Sequence, residues 1–230
     1  MIKPLHFKQS LRALAGAALM TLATGAAHAG PVTELGDAGP LLGSAQSFTG
    51  SSAIYTITGS LLGAAAGDYA DLFRVYLYAG STFSATTTAS AWNTNNFDSA
   101  LFLFDSTGHG VVANDDDPNV GPQSTIFKSV AASGYYYLAV AGTGYTPVSA
   151  GGAIFGDLFG AAAQVPAVGA GGAGALSGWQ SVSSESGDYE LVLQGAYANV
   201  SAVPEPTNVS MLLAGLGLAG AVARRRRAQV

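Results

Sequence analysis

Cysteine is absent from the 230 residues, and histidine occurs only at His6, His28 and His109. The first absence excludes a disulfide scaffold, a thiolate zinc site and a cysteine nucleophile. Charge is scarce too: 10% of residues are charged, with 14 Asp and Glu against 9 Lys and Arg. No basic excess is present to suit a nucleic acid partner. Between the two ends of the chain, no long stretch repeats its apolar residues at the helical period. What the sequence has in quantity is glycine, 31 residues, and apolar character, 49% of the chain. That is too apolar for a disordered chain, and the length suits one domain or two small ones.

The basic residues are packed into the ends. Lys3, Lys8 and Arg12 accompany an apolar run over residues 11–27, and Ala27-His28-Ala29 follows as a small-x-small cleavage site. This order reads as a signal peptide over residues 1–29, cut by signal peptidase after Ala29. A buried N-terminal helix is the alternative. At the other end an apolar run of 15 residues, 209–223, precedes Arg224, Arg225, Arg226 and Arg227. Fifteen residues fall short of the roughly 20 that span a bilayer comfortably. The arginines would hold the C-terminus on the cytoplasmic side. Just upstream, Pro204-Glu205-Pro206 can neither continue a strand nor enter a helix interior, so it reads as an extended, accessible hinge.

Pro204, Glu205, Pro206, the apolar run and the arginine cluster together resemble the PEP-CTERM sorting tail of Gram-negative bacteria, over residues 203–227. The resemblance implies processing by an exosortase, a membrane-embedded transpeptidase-like enzyme. It also implies transient anchoring in the inner membrane and a host that makes exopolysaccharide or biofilm. An ordinary membrane anchor is the plainer reading of the same residues.

With both ends set aside, the body from Gly30 to Val203 holds thirteen acids against Arg74 and Lys128, a net charge of −11. Such a surface repels anionic polymers unless a cation intervenes, and it attracts divalent ions. Period-two alternation and turn residues predict eight short strands, over 53–58, 72–78, 83–89, 100–104, 111–113, 125–130, 135–141 and 189–193. An all-β, antiparallel β-sandwich follows. Residues 30–52 read as a linker. Residues 142–187 read as a flexible insertion with nine Gly and nine Ala between Ala150 and Gly178, carrying the apolar anchors Ile154, Phe155, Leu158, Phe159 and Trp179. A buried helix over 154–163 is weakly signalled. No phosphate-binding glycine motif is present.

Four segments resemble the bacterial pre-peptidase C-terminal domain in order: GDYADLFRVYLYAGSTFSATT, FDSALFLFDSTGHGVVANDDD, STIFKSVAASGYYYLAV and SGDYELVL. The resemblance covers residues 53–195. It implies a jelly-roll-like sandwich of the kind that accompanies secreted enzymes, with collagen-binding relatives that bind calcium. The 142–187 insertion departs from the family pattern, and no protease domain is present, so a stand-alone module is expected.

If every turn reverses the chain, one end of the sandwich collects Asp68, Asp71, Asp98, Asp115, Asp116, Asp117 and Asp188, and Asp105 falls at the other. Crowded like charges repel unless they share a cation. Calcium, which takes hard oxygen ligands in flexible geometry, is the candidate cofactor for those seven residues. A solvated acidic loop that aids solubility is the alternative. Catalytic signals are poor. After the signal peptide the one histidine is His109, in a Gly-His-Gly turn, and no G-x-S-x-G context supports a triad. The expectation is a non-catalytic, exported surface or matrix protein associated with exopolysaccharide or biofilm. The alternative is a calcium-dependent glycan- or polymer-binding module stacking sugars on Tyr76, Tyr78, Trp92, Tyr135 and Tyr137. A secreted hydrolase using paired carboxylates ranks below both.

Overall fold

The computed structural model describes residues 30–198, except 51, 89–97, 120, 159–160, 162 and 182–184. The signal-cleavage residues Ala27 and Ala29, the tail residues Pro204 to Pro206 and Arg224 to Arg227, the apolar tail segment, Trp92 and Phe159 all lie outside the described residues.

Among the described residues the chain is all-β apart from one short 3-10 turn, Ala64–Ala66. The strands begin with β1 (Gly30–Thr33), β2 (Gln46–Ser47), β3 (Ala53–Leu61), β4 (Ala70–Leu77), β5 (Thr82–Thr88), β6 (Ser99–Phe104) and β7 (Gly110–Asn114). They continue with β8 (Thr125–Ser129), β9 (Gly134–Gly142), β10 (Tyr145–Ser149), β11 (Gly152–Ala153), β12 (Gly178–Ser181) and β13 (Gly187–Tyr197). The eight strands expected from alternation are β3 to β9 and β13. Residues 30–52, expected as a linker, instead supply two edge strands: β1 pairs in parallel with β3, and β2 in parallel with β4.

Two layers result. One runs β1-β3-β13-β5-β8 and the other β2-β4-β9-β6-β7; they meet at a corner where Tyr197 pairs with Tyr76. Gly195 makes this corner possible. It sits in a bulge of β13 at φ 73°, and any Cβ there would strike the Thr82 carbonyl oxygen. Between the layers Ile57, Leu61, Phe83, Ile126, Leu191 and Leu193 of the first face Phe73, Val75, Leu77, Leu101, Leu103 and Leu138 of the second. Each such buried side chain contributes roughly 1.5–3 kcal/mol.

The continuous apolar run of β6 has a specific cause. Its Leu101 and Leu103 point into the sandwich, whereas Ala100, Phe102 and Phe104 point outward into a second core. The glycine-rich insertion builds that core. β10, β11 and β12 form a small antiparallel sheet, and Ile154, Phe155, Leu158 and Trp179 lie over the outer face of the second layer. Phe155 meets Phe102 and Phe104 at ring distances of 5.7 and 5.8 Å, and the Trp179 indole N–H donates to the Pro40 carbonyl at 2.7 Å.

The insertion expected to be flexible is therefore a third layer, and the weakly signalled helix at 154–163 does not form among its described residues. Its glycines answer to close packing. A Cβ on Gly169 or Gly171 would collide with the carbonyls of Ala153, Phe155 or Gly152, around which the segment folds back on itself.

Candidate functional site

Antiparallel pairing of β4 with β9, β9 with β6 and β6 with β7 sets the direction of every strand in the second layer. The loop 62–69, the residues just after β7 and just after β9, and Asp98 consequently lie at one end of the sandwich. The third layer built by the insertion reaches back to the other end, where Ala175 pairs with His109. The start of β13, opposite Leu61, lies at the first end too. Asp68, Asp71, Asp98, Asp115, Asp116, Asp117 and Asp188 thus share the first end, and Asp105 is at the other. They do not form one rim of equivalent carboxylates. Two separate groups exist, and each includes an acid that alternation did not bring there.

The first group centres on Asp71, fully buried at the start of β4. One of its oxygens, Oδ2, accepts from the Tyr189 hydroxyl at 2.6 Å; the other, Oδ1, is buried with no hydrogen-bond partner. Asp68 repeats the pattern. Its Oδ2 accepts from the Leu62 N–H at 2.9 Å, and its Oδ1 is buried without a partner. Glu34 and Asp37, just beyond β1, complete the group. Carboxylate oxygens of Glu34, Asp37 and Asp71 lie within 4.8 Å of one another.

Backbone N–H groups of Ala38 and Ser60 hold Glu34 at 3.0 and 3.1 Å, and Gly39 N–H holds Asp37 at 2.8 Å. Burial, opposed by the Tyr189 hydrogen bond and helped by the charges of Glu34, Asp68 and Asp37, pushes the Asp71 carboxyl up to about 8. Burial likewise raises Asp68 and Glu34. Every charge acting on Asp71 is negative, and the Tyr189 hydrogen bond offsets only part of the cost of burying it.

The second group gathers on the far side of β9. Burial raises Asp98 to about 6, helped by the charges of Asp115, Asp116 and Glu185, and its Oδ1 is buried without a partner. Asp115 accepts from the Thr143 hydroxyl at 2.7 Å, while Ser124 ties its carbonyl to that of Ser99. Asp117 stands apart. It accepts from the backbone and side-chain nitrogens of Asn119 at 2.9 and 2.8 Å, which hold its carboxyl below the usual range. Asp188 is exposed on β13.

Sequence reasoning missed Glu34, Asp37 and Glu185. A parallel edge strand leaves no hairpin signal, so nothing marked β1 as bringing Glu34 to Asp71. Of the tyrosines expected to stack sugars, Tyr76 packs edge-on against Tyr78 and Tyr135, at 5.0 and 5.3 Å. The Arg74 guanidinium covers Tyr135 at 4.6 Å, and Tyr137 packs on the second core. Tyr76, Tyr78 and Tyr135 thus pack partly on one another, and Tyr78 keeps 39% of its surface exposed. His109 closes a turn: Asp105 accepts from the Thr107 N–H and hydroxyl and from the His109 N–H, at 2.8, 2.7 and 3.0 Å.

Body and tail together define an exported β-sandwich protein with a sorting signal. Residues 202–227 match the family described as the PEP-CTERM protein-sorting motif, which marks the chain for an exosortase-type enzyme and the cell envelope or surface. Among solved structures the chain is similar to the pre-peptidase C-terminal domain of collagenase from Bacillus anthracis. The identity is 16% and the TM-score 0.33, over 60% of this chain and 87% of that one. No curated protein matches the sequence.

Proposed function

We propose that this protein is a non-catalytic, calcium-stabilised module of the Gram-negative cell surface or extracellular matrix, associated with exopolysaccharide. The observation that carries the calcium reading is the fully buried Asp71 carboxyl, with one oxygen unpartnered and only negative charges acting on it. Such a group is costly in isolation and favourable beside a divalent cation. The residues present fit calcium: Glu34, Asp37 and Asp71 offer hard oxygens only, within 4.8 Å of one another, and Oδ1 of Asp71 is buried without a donor. The tail match supports placement at the surface. The lone described histidine is engaged in a turn with Asp105, at the end of the sandwich opposite the two acidic groups, which supports a role without turnover.

Thermal unfolding of the purified protein tests the calcium site. Millimolar calcium should raise the midpoint and a chelator should lower it, and Asp71→Asn should remove the difference. Equal midpoints with and without calcium would overturn the site. Co-fractionation of the exported protein with the host's exopolysaccharide tests the rest, and a protein found free of the polymer would contradict it.

A further inference from the structure

At the edge of the sandwich formed by β7 and β8 the two layers open toward solvent, leaving a groove of about 390 Å³. Asn114, Asp116, Asp117, Asn119, Phe127 and Gln164 line it. Three features of this groove belong together. First, Phe127 is 61% exposed, although its neighbour Ile126 is fully buried in the core. A large aromatic ring left in water at the wall of a groove is an unspent apolar surface.

Second, the polar lining consists of planar amides and carboxylates, which pair with vicinal hydroxyls as acceptors and donors. Third, these side chains are fixed in advance. Asn114 accepts from the Thr125 N–H at 2.8 Å and donates to the Asp116 carbonyl at 3.0 Å, and Gln164 accepts from the Phe127 N–H at 2.7 Å. That last bond pins the insertion against β8. Asp117, held by Asn119, stays ionised as a strong acceptor.

We infer that this groove is a binding site for a neutral glycan, with a sugar ring lying on Phe127 and its hydroxyls met by Asp116, Asp117, Asn119 and Gln164, while the buried Asn114 amide braces the wall behind them. The neutrality of the ligand follows from charge. No basic residue lines the groove, and it sits on a body of net charge −11 that disfavours uronates and other anionic sugars. A metal ion is a poorer occupant: among the described residues only Glu34, Asp37 and Asp71 converge closely enough to ligate one. The inference rests on the reading of the protein as exopolysaccharide-associated and gives that association a place on the molecule.

Native affinity electrophoresis of the purified protein in gels cast with neutral polymers (dextran, laminarin, galactomannan, hydroxyethyl cellulose) and with anionic alginate tests it. Retardation by at least one neutral polymer is expected. Phe127→Ala should weaken it by about tenfold or more, the loss of one stacking contact, and Phe127→Trp should preserve it. Asp117→Asn should weaken it as well. Because Phe127 is exposed, Phe127→Ala should leave the melting midpoint unchanged, which separates lost binding from lost fold. Retardation by alginate alone, by none of the polymers, or equally in wild type and Phe127→Ala would overturn the site. Co-fractionation with the host exopolysaccharide distinguishes the two levels. If Phe127→Ala still co-fractionates, the groove is wrong and the broader reading stands; if wild type does not, the broader reading fails.

Discussion

Asp71 shows how a single side chain can set the pH response of a protein. Its proton is retained to about pH 8 in the folded, calcium-free state, against an ordinary value of 3.8. Between those values the folded chain binds a proton that the unfolded chain has released, so stability falls as pH rises through that interval. Asp98, raised to about 6, adds to the fall in its lower half. Asp105 and Asp117 are held below 3.8 and titrate beneath the window. Melting midpoints in chelator should therefore decline from about pH 5 to 8, and Asp71→Asn should flatten the decline. A midpoint that climbs over this range would contradict the assignment. Mutating Asp71 removes a carboxylate that meets its close neighbour Asp68 and two residues from distant segments, Glu34 beyond β1 and Tyr189 on β13. Sequence distance hid that convergence, although Asp68 and Asp71 were each legible as acids at a strand entrance.

Among elements, the insertion gives the sharpest test. Phe155 contacts two phenylalanines of β6 and is 1% exposed. Phe155→Ala should cost about 3–5 kcal/mol through lost burial and the cavity left behind. A shift within noise would mean that the insertion does not seal the second layer. Gly171→Ala should also destabilise, because the added methyl meets the Gly152 carbonyl and the Ser149 hydroxyl. The strands were readable because alternation and turn residues report directly on a pleated, half-buried ribbon. β6 was readable as buried on both faces from five apolar residues in succession. What covered its outer face was not, because a glycine- and alanine-rich stretch has the same composition whether it is loose or folded tightly around its own carbonyls. Phe127 illustrates a different limit: alternation assigned it to a strand, but only the neighbouring loop and Gln164 turn its outward face into the wall of a groove.

At the scale of the whole molecule, β13 decides whether the first layer exists. β3 and β5 each pair with β13 and, among the described residues, not with each other. A chain ending at Ser186 should therefore fail to fold, giving no cooperative melting transition and rapid proteolysis, whereas one retaining residues through Ala198 should melt cooperatively. Because β3 must wait more than a hundred residues for its antiparallel partner, folding of the sandwich is a late, non-local event.

The direction of that strand also fixes where the tail leaves the body. β13 runs from the carboxylate end to the end bearing the Tyr76–Tyr197 corner, about 36 Å for its 11 residues. The sorting motif begins only a few residues later, at 202. Any attachment made through the tail therefore joins the body at the corner end of the sandwich, the end opposite its buried carboxylates.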